Sequence, residues 1–454
     1  MPRDPLAPLA PWLGRAVRDC PCGREHVVPL QEVVAGPDAL EALPDLVRRF
    51  APPGAPVLLL ADPDTRDAAG ARAGAMLARA GHPVEELLAP REPHADDVTL
   101  EELAGRVRGG PALLVAAGAG TINDLGKLLA RRLGVPQVTV ATAASMNGYA
   151  SSIAAFTVRG LKRTVPAPPP VALVLDSRVL ADAPGRLAAA GFGDLASRPV
   201  SAADWLLARF LFGEPVCPTA LDLAERAAAA VRGRAAAIGA GEPGATLDLA
   251  VALVLSGIAM TVAGASSPAS GGEHLVSHYL DISAEARGRT PRLHGEQVAV
   301  GTLVSLALYR RIRAAGPPDP ASPAPPGEDE AALRRLHGHL PAPALAALLA
   351  EARAKAARRP DRQARRERLA AGWEDLWRVL DGQLGSAGPD LAEDLRRAGA
   401  PTSFAAIGVS PDRARHVVRA ARHMRDRWTV LDLAADLGLL EEFARELPPA
   451  LLDR

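Results

Sequence analysis

The chain has 454 residues, enough for two or three domains, each with its own core. Hydrophobic residues make up 48% and charged residues 23%, and the formal net charge is zero, which argues against nucleic acid or an anionic membrane as a bulk electrostatic partner. Aromatics are only 3%, so the core has to be built mostly from Ala, Leu and Val. In chain order, MPRDPLAPLAPWLGRAVRDC lacks the continuous apolar run of a signal peptide. The cysteines, Cys20, Cys22 and Cys217, are too few and odd in number for a disulfide framework, so a reducing cytoplasm is the expected location. Cys20 and Cys22 with His26 make only a thin thiolate set.

From residue 56 the pattern alternates. PVLLLAD (56–62) reads as a buried strand, TRDAAGARAGAMLARAG as a helix ending at Gly81, and PALLVAAGAG, NDLGKLLARRLG and QVTVATA continue the series. Strands separated by helices predict a parallel sheet covered on both faces. Two β-rich runs flank Arg159-Gly160 and predict a hairpin before a last strand, VALVLDS. After Pro184 helical periodicity takes over. LAVALVLSGIAMTVAGA, Leu249 to Ala265, is slightly short for a membrane span, is diluted by Ser256, Gly257, Thr261 and Gly264, and reads as a buried core helix. The Pro-rich 314–331 stretch reads as a surface loop. The basic runs RRPDRQARRERL and RARHVVRAARHMRDR read as solvated helix faces. The organisation expected is an α/β domain over 1–183 and an all-helical domain over 184–454, with a ligand cleft between them.

Two regions point to chemistry. VAAGAGTINDLGKLLA is a strand, a Gly118-Ala119-Gly120 turn and a helix capped near Thr121 or Asn123, an arrangement suited to a pyrophosphate, although glycine turns also end strands for structural reasons. Asp62, at a strand end, can accept hydrogen bonds from an adenosine ribose or act as a plain cap; Thr142, Ser145 and Ser151 in ATAASMNGYASS can line a cleft at the sheet's carboxyl edge. The second region is GGEHLVSHYLDISAEARGRTPRLHGEQ. His274 and His278 share a helix face, and His294 follows after a loop. Such imidazoles with one carboxylate form a usual divalent metal set. Asp194, flanked by glycines in GFGDLASRPVSAADW, is the carboxylate of choice.

GAGTINDLGK, ATAASMNGYASS, GFGDLASRPVSAADW, GGEHLVSH, LHGEQVAVGTL and RDRWTVLDLAADLG occur in an order that resembles the sn-glycerol-1-phosphate dehydrogenase family, within the wider superfamily of metal-dependent polyol dehydrogenases and dehydroquinate synthases. The resemblance covers nearly the whole chain. It implies a dehydroquinate synthase-like fold, with an N-terminal Rossmann-like parallel-sheet domain and a C-terminal all-helical domain. It implies NAD or NADP contacted by Asp62, by Gly118 and the Gly120, Thr121, Ile122, Asn123, Asp124 turn, and by Thr142, Ser145 and Ser151. It implies one divalent metal ion (Zn, Ni or Fe) on Asp194, His274 and His294, with His278 and Asn147 facing a small phosphorylated substrate. The implied activity is NAD(P)H-linked reduction of dihydroxyacetone phosphate to sn-glycerol 1-phosphate, a step of phospholipid metabolism. Asn147 departs from the family, which usually has Asp there; Asn cannot act as a base. Dehydrogenation of another polyol or phosphorylated ketone, a cyclising lyase reaction and a non-enzymatic nucleotide-binding role stay open. Asp62 favours NADH while Arg66 stands close behind it, and the oligomeric state is unread, a homodimer being in keeping with the sequence.

Overall fold

The structure is a computed structural model that describes residues 4–158, 161–359 and 361–453. Two short strands, β1 (Ala16–Val17) and β2 (His26–Val27), pair antiparallel ahead of the main sheet. That sheet comprises β3 (Glu32–Gly36), β4 (Val57–Ala61), β5 (Val84–Leu88), β6 (Leu113–Gly118), β7 (Gln137–Ala141) and β10 (Ala172–Asp176), all parallel, in the order β3-β10-β7-β6-β4-β5. The expected hairpin is present as β8 (Ile153–Val158) and β9 (Leu161–Pro166), paired antiparallel; its turn, Arg159-Gly160, lies outside the described residues.

The alternation of side chains along a strand explains the buried runs. Leu59, Val115 and Val140 face one core with α1 (Leu43–Phe50) and α3 (Ala71–Arg79), which follows the one-turn α2 (Pro63–Thr65) in the chain. Leu58, Leu60, Leu114 and Ala116 face the other, against α4 (Asp97–Arg106), α5 (Gly120–Leu133) and Phe156 of the hairpin. Both faces are covered, as a parallel sheet requires.

No strand follows β10 among the described residues. The chain continues through α6 (Ser177–Asp182), α7 (Gly185–Leu195), α8 (Arg198–Phe212), α9 (Pro218–Ala230), α10 (Ala235–Gly239), α11 (Pro243–Ala263), α12 (Gly272–Glu285) and α13 (His294–Ala315), then shorter helices. By compactness it forms two units, Met1–Leu195 with Cys217–Ala265, and Ala196–Val216 with Ser266–Arg454. The sequence pattern changes at residue 184, but α7 and α11 group with the sheet unit because α11 packs on α9, α6 and α7. α11 is the apolar segment long enough to cross a membrane; 89% of its most apolar window is buried inside the protein, so it is a core helix. The second unit has its own core around Val200, Leu207, Tyr279, Val304, Trp377, Phe404 and Leu431.

Neither helix nor strand forms over 316–329. The two basic runs are not simply solvated faces. Arg365, Arg366 and Arg422 are buried, and Arg365 Nε lies 2.6 Å from Asp436 Oδ2. Asp436 and Asp432 of the helix Val430–Asp436 draw Arg365 and Arg422 inward, and Arg366 donates to the Asp436 carbonyl, which charge spacing alone does not reveal.

Candidate functional site

In the sheet unit, the strand order reverses between β4 and β6, where ligands of parallel sheets bind at the carboxyl edge. Leu60 pairs with Ala116, so Asp62 and Gly118, two residues on, stand side by side there. A Cβ on Gly118 would fall 2.4 Å from Cβ of Ile122; only glycine lets the strand turn this directly into α5. The first-turn N–H groups of Gly120, Thr121 and Ile122 have no earlier helical turn to bond, which gives α5 a positive end. Asp62 caps α2, its Oδ1 accepting from the Thr65 N–H at 2.9 Å while Thr65 Oγ1 accepts from the Asp62 N–H at 3.0 Å.

Other residues of this region are bound into the protein. Buried Asn123 accepts through Oδ1 from Gln137 Nε2 (3.2 Å) and Thr139 Oγ1 (3.0 Å) of β7. Asp124 Oδ2 accepts from the Ala155 N–H at 2.9 Å, and Lys127 Nζ lies 3.4 Å from its Oδ1. Burial raises the Asp124 pKa and lowers that of Lys127, each opposed by the other's charge. Lys127 also donates to the carbonyls of Gly148 and Ile153, as does the buried Ser151 hydroxyl. These bonds hold the loop after β7 over α5. Thr142 begins that loop, its N–H donating to the Gly118 carbonyl at 3.2 Å, and Ser145 is half-buried within it.

α7 meets the same loop. A Cβ on Gly191 would sit 2.0 Å from the Ala144 carbonyl oxygen, and one on Gly257 of α11 would sit 2.7 Å from that of Asn147. Through this contact the Asn147 N–H donates to Oδ2 of buried Asp194 at 3.0 Å.

The second unit gathers the histidines. His274 and His278 project from α12 and His294 opens α13; their ring centroids are 5.0 Å (His274–His294), 5.5 Å (His278–His294) and 6.2 Å (His274–His278) apart. Gly301 allows the approach, since a Cβ there would meet the Glu273 carbonyl oxygen at 2.5 Å. Two rings have an assigned orientation. Nδ1 of His274 lies 2.8 Å from Oε1 of Glu273, a carboxylate that can only accept. Nδ1 of His294 lies 3.1 Å from Oγ of Ser277, whose own proton goes to Gln297 Oε1 at 2.8 Å. In both rings Nδ1 is then the protonated nitrogen and Nε2 carries the lone pair, the preparation usual for metal-ligating histidines. Asp281 brings a carboxylate oxygen within 4.8 Å of ligand atoms of His278 and His294.

Glu273, Ser277, Gln297 and Asp281 are missing from the sequence-based reading. Asp281 carried a signal, one helical turn beyond His278. Asp204 carried none: its Oδ1 accepts from Tyr309 and from the Val430 N–H, its Oδ2 from the Gly272 N–H at 2.7 Å, and burial, with the charge of Glu273, pushes it up to about 7. A second imidazole cluster was also unseen. Tyr279 Oη lies 2.9 Å from His337 Nδ1 and 3.0 Å from His416 Nε2, and His337 Nε2 lies 3.0 Å from His423 Nδ1.

Residues 34–184 match the family described as iron-containing alcohol dehydrogenase. A glycerol-1-phosphate dehydrogenase [NAD(P)+] of Bacillus licheniformis is 31% identical over 439 residues, 95% of this chain and 96% of that one. The chain belongs to the glycerol-1-phosphate dehydrogenase family. A glycerol-1-phosphate dehydrogenase of Pyrococcus furiosus is 35% identical over 280 residues, 62% of this chain and 78% of its own. Among solved structures, a glycerol dehydrogenase from Schizosaccharomyces pombe (TM-score 0.59, 17% identity, 93% of this chain and 95% of that one) and a probable one from Sinorhizobium meliloti (0.58, 20%, 92% and 98%) share the fold. Like the rest of the glycerol-1-phosphate dehydrogenase family, the chain is an oxidoreductase.

Proposed function

We propose that the protein reduces dihydroxyacetone phosphate to sn-glycerol 1-phosphate with NADH or NADPH and one divalent metal ion. The observation that carries the metal is the pair of oriented rings: His274 held by Glu273 and His294 held by Ser277 both turn Nε2 into the ligand role. The donor set Asp194, His274 and His294 suits Zn, Ni or Fe. When bound, the metal supplies Lewis-acid polarisation of a carbonyl oxygen, and the nicotinamide supplies hydride.

The chain's own residues do the rest. The α5 N-terminus at Gly118, Gly120, Thr121 and Ile122 receives the pyrophosphate, and Asp62 receives the adenosine ribose. Asn123, Asp124 and Ser151 set the shape of that wall from within, while Thr142 and Ser145 face the nucleotide. Asn147 orients Asp194 through its N–H and presents its amide to a substrate hydroxyl. His278 hands a proton to the oxygen that becomes the product hydroxyl.

Asn147 favours a second reading, reduction of a different phosphorylated ketone or polyol, because an uncharged amide replaces the carboxylate usual at that position. The deciding assay follows NAD(P)H absorbance with dihydroxyacetone phosphate, using metal-stripped protein and protein reloaded with Zn, Ni or Fe. Metal-dependent oxidation, abolished in His294→Ala of intact fold, supports the first reading. Turnover undiminished in His294→Ala would sink the ligand assignment. No turnover with nucleotide and metal bound would move the substrate to other phosphorylated ketones, or to a cyclising lyase reaction without net NAD(P)H change.

A further inference from the structure

Cys217, far along the chain from Cys20 and Cys22, meets them at one place in the sheet unit. Cys20 and Cys22 sit in the turn between β1 and β2, His26 begins β2, and Cys217 precedes α9. Gly23, with φ +75°, closes the turn, its N–H donating to the Cys20 carbonyl at 2.9 Å. Cys20 Sγ lies 3.6 Å from Cys217 Sγ, Cys217 Sγ 3.6 Å from His26 Nε2, and Cys22 Sγ 3.1 Å from His26 Nε2. All four ligand atoms lie within 4.8 Å of one another. Zinc–sulfur bonds of about 2.3 Å put tetrahedral ligands roughly 3.8 Å apart, close to the spacing seen here. The Cys20 and Cys217 sulfurs are well beyond bonding distance, and Cys20, His26 and Cys217 are buried.

We infer that Cys20, Cys22, His26 and Cys217 form a structural zinc site. Four protein ligands close the coordination shell, so the site holds structure and leaves no position for a substrate. Soft thiolates select zinc over the harder cations. Binding replaces the thiol protons, which pass to solvent, and uses the neutral imidazole. What the metal joins is clear from the topology. The β1–β2 hairpin is two residues long per strand and pairs with no strand of the main sheet, and the site ties it to the start of α9, 197 residues from Cys20. The site shares no residue with Asp194, His274 and His294 and does not depend on the proposed activity.

Cobalt(II) distinguishes the two sites, because only this one has sulfur. Full-length protein, reduced and stripped by a chelator, is titrated with cobalt. The expected result is a near-ultraviolet thiolate charge-transfer band saturating at about one equivalent, bleached by zinc, lost in Cys217→Ser and retained in the His274→Ala/His294→Ala double variant. Stoichiometric cobalt binding without that band, or a band unchanged in Cys217→Ser, overturns the inference. Should Cys217→Ser fail to fold, the unaltered protein still decides. A mercurial that blocks thiols should release about one equivalent of zinc from the loaded protein, and with no other cysteine in the chain, release of none overturns the site.

Discussion

Ser277 lies one helical turn past His274 on α12, and its Oγ sits 3.1 Å from Nδ1 of His294 on α13. One hydroxyl thus fixes the tautomer of a ring on the neighbouring helix, because its own proton is committed to Gln297. Ser277→Ala keeps the volume nearly unchanged and removes the acceptor. Metal affinity, measured by competition with a chelator, should fall by about 10–100-fold while the thermal transition barely moves. An unchanged affinity would remove Ser277 from this role.

Gly301→Ala tests the packing beneath the same histidines. The new methyl would meet the Glu273 carbonyl oxygen at 2.5 Å, a backbone atom one residue before His274. The helices must separate, at a cost of about 1–3 kcal/mol. A lowered denaturant midpoint with weakened metal binding is expected; a wild-type midpoint would show that the helices have more room than this contact allows.

What the sequence reveals follows from distance along the chain. The sheet is legible because each strand is a short apolar run between helices, and Leu58 to Ala61 announce themselves without any partner being known. The three histidines are legible because they fall within two neighbouring helices. Cys217 is not, since nothing near it hints at Cys20, and the fold alone unites them. Buried charge is the hardest to read: Arg365 and Lys355 look like solvated helix residues until Asp436 and Asp432 come in from a helix about 70 residues away. Asn123 and Ser151 look like ligand-facing polar residues by type, and the structure engages their side chains within the protein.

The Asp124–Lys127 pair is buried in the sheet unit and couples α5 to the loop after β7. Lys127→Met leaves the Asp124 carboxylate buried without its cation, a loss of about 3–5 kcal/mol. Asp124→Asn/Lys127→Met removes the orphaned charge and should recover part of that loss. Urea unfolding of Lys127→Met, Asp124→Asn and the double variant measures the coupling. A double variant as unstable as the sum of the two singles would show that the charges do not act as a pair.

Acid should weaken the second unit through its other imidazole cluster. Burial, with the His423 and His416 imidazoles beside it, lowers His337 from 6.5 to about 3, and burial with His339 and nearby arginines lowers His416 to about 4. Both are held neutral in the fold, while in the unfolded chain they take up protons near 6.5. Stability is therefore fully present above that value and falls as pH drops below it toward 4. Glu328 acts in the same direction lower down: burial alone would raise it, but the His423 hydrogen bond and the Arg422 guanidinium hold it down to about 2, so its contribution fades as pH falls below about 4.5. The urea midpoint should therefore decline steadily between neutral pH and pH about 4, and His337→Gln, which cannot titrate, should flatten the upper part of that decline. Equal slopes for the variant and the wild type would place the acid-sensitive groups elsewhere.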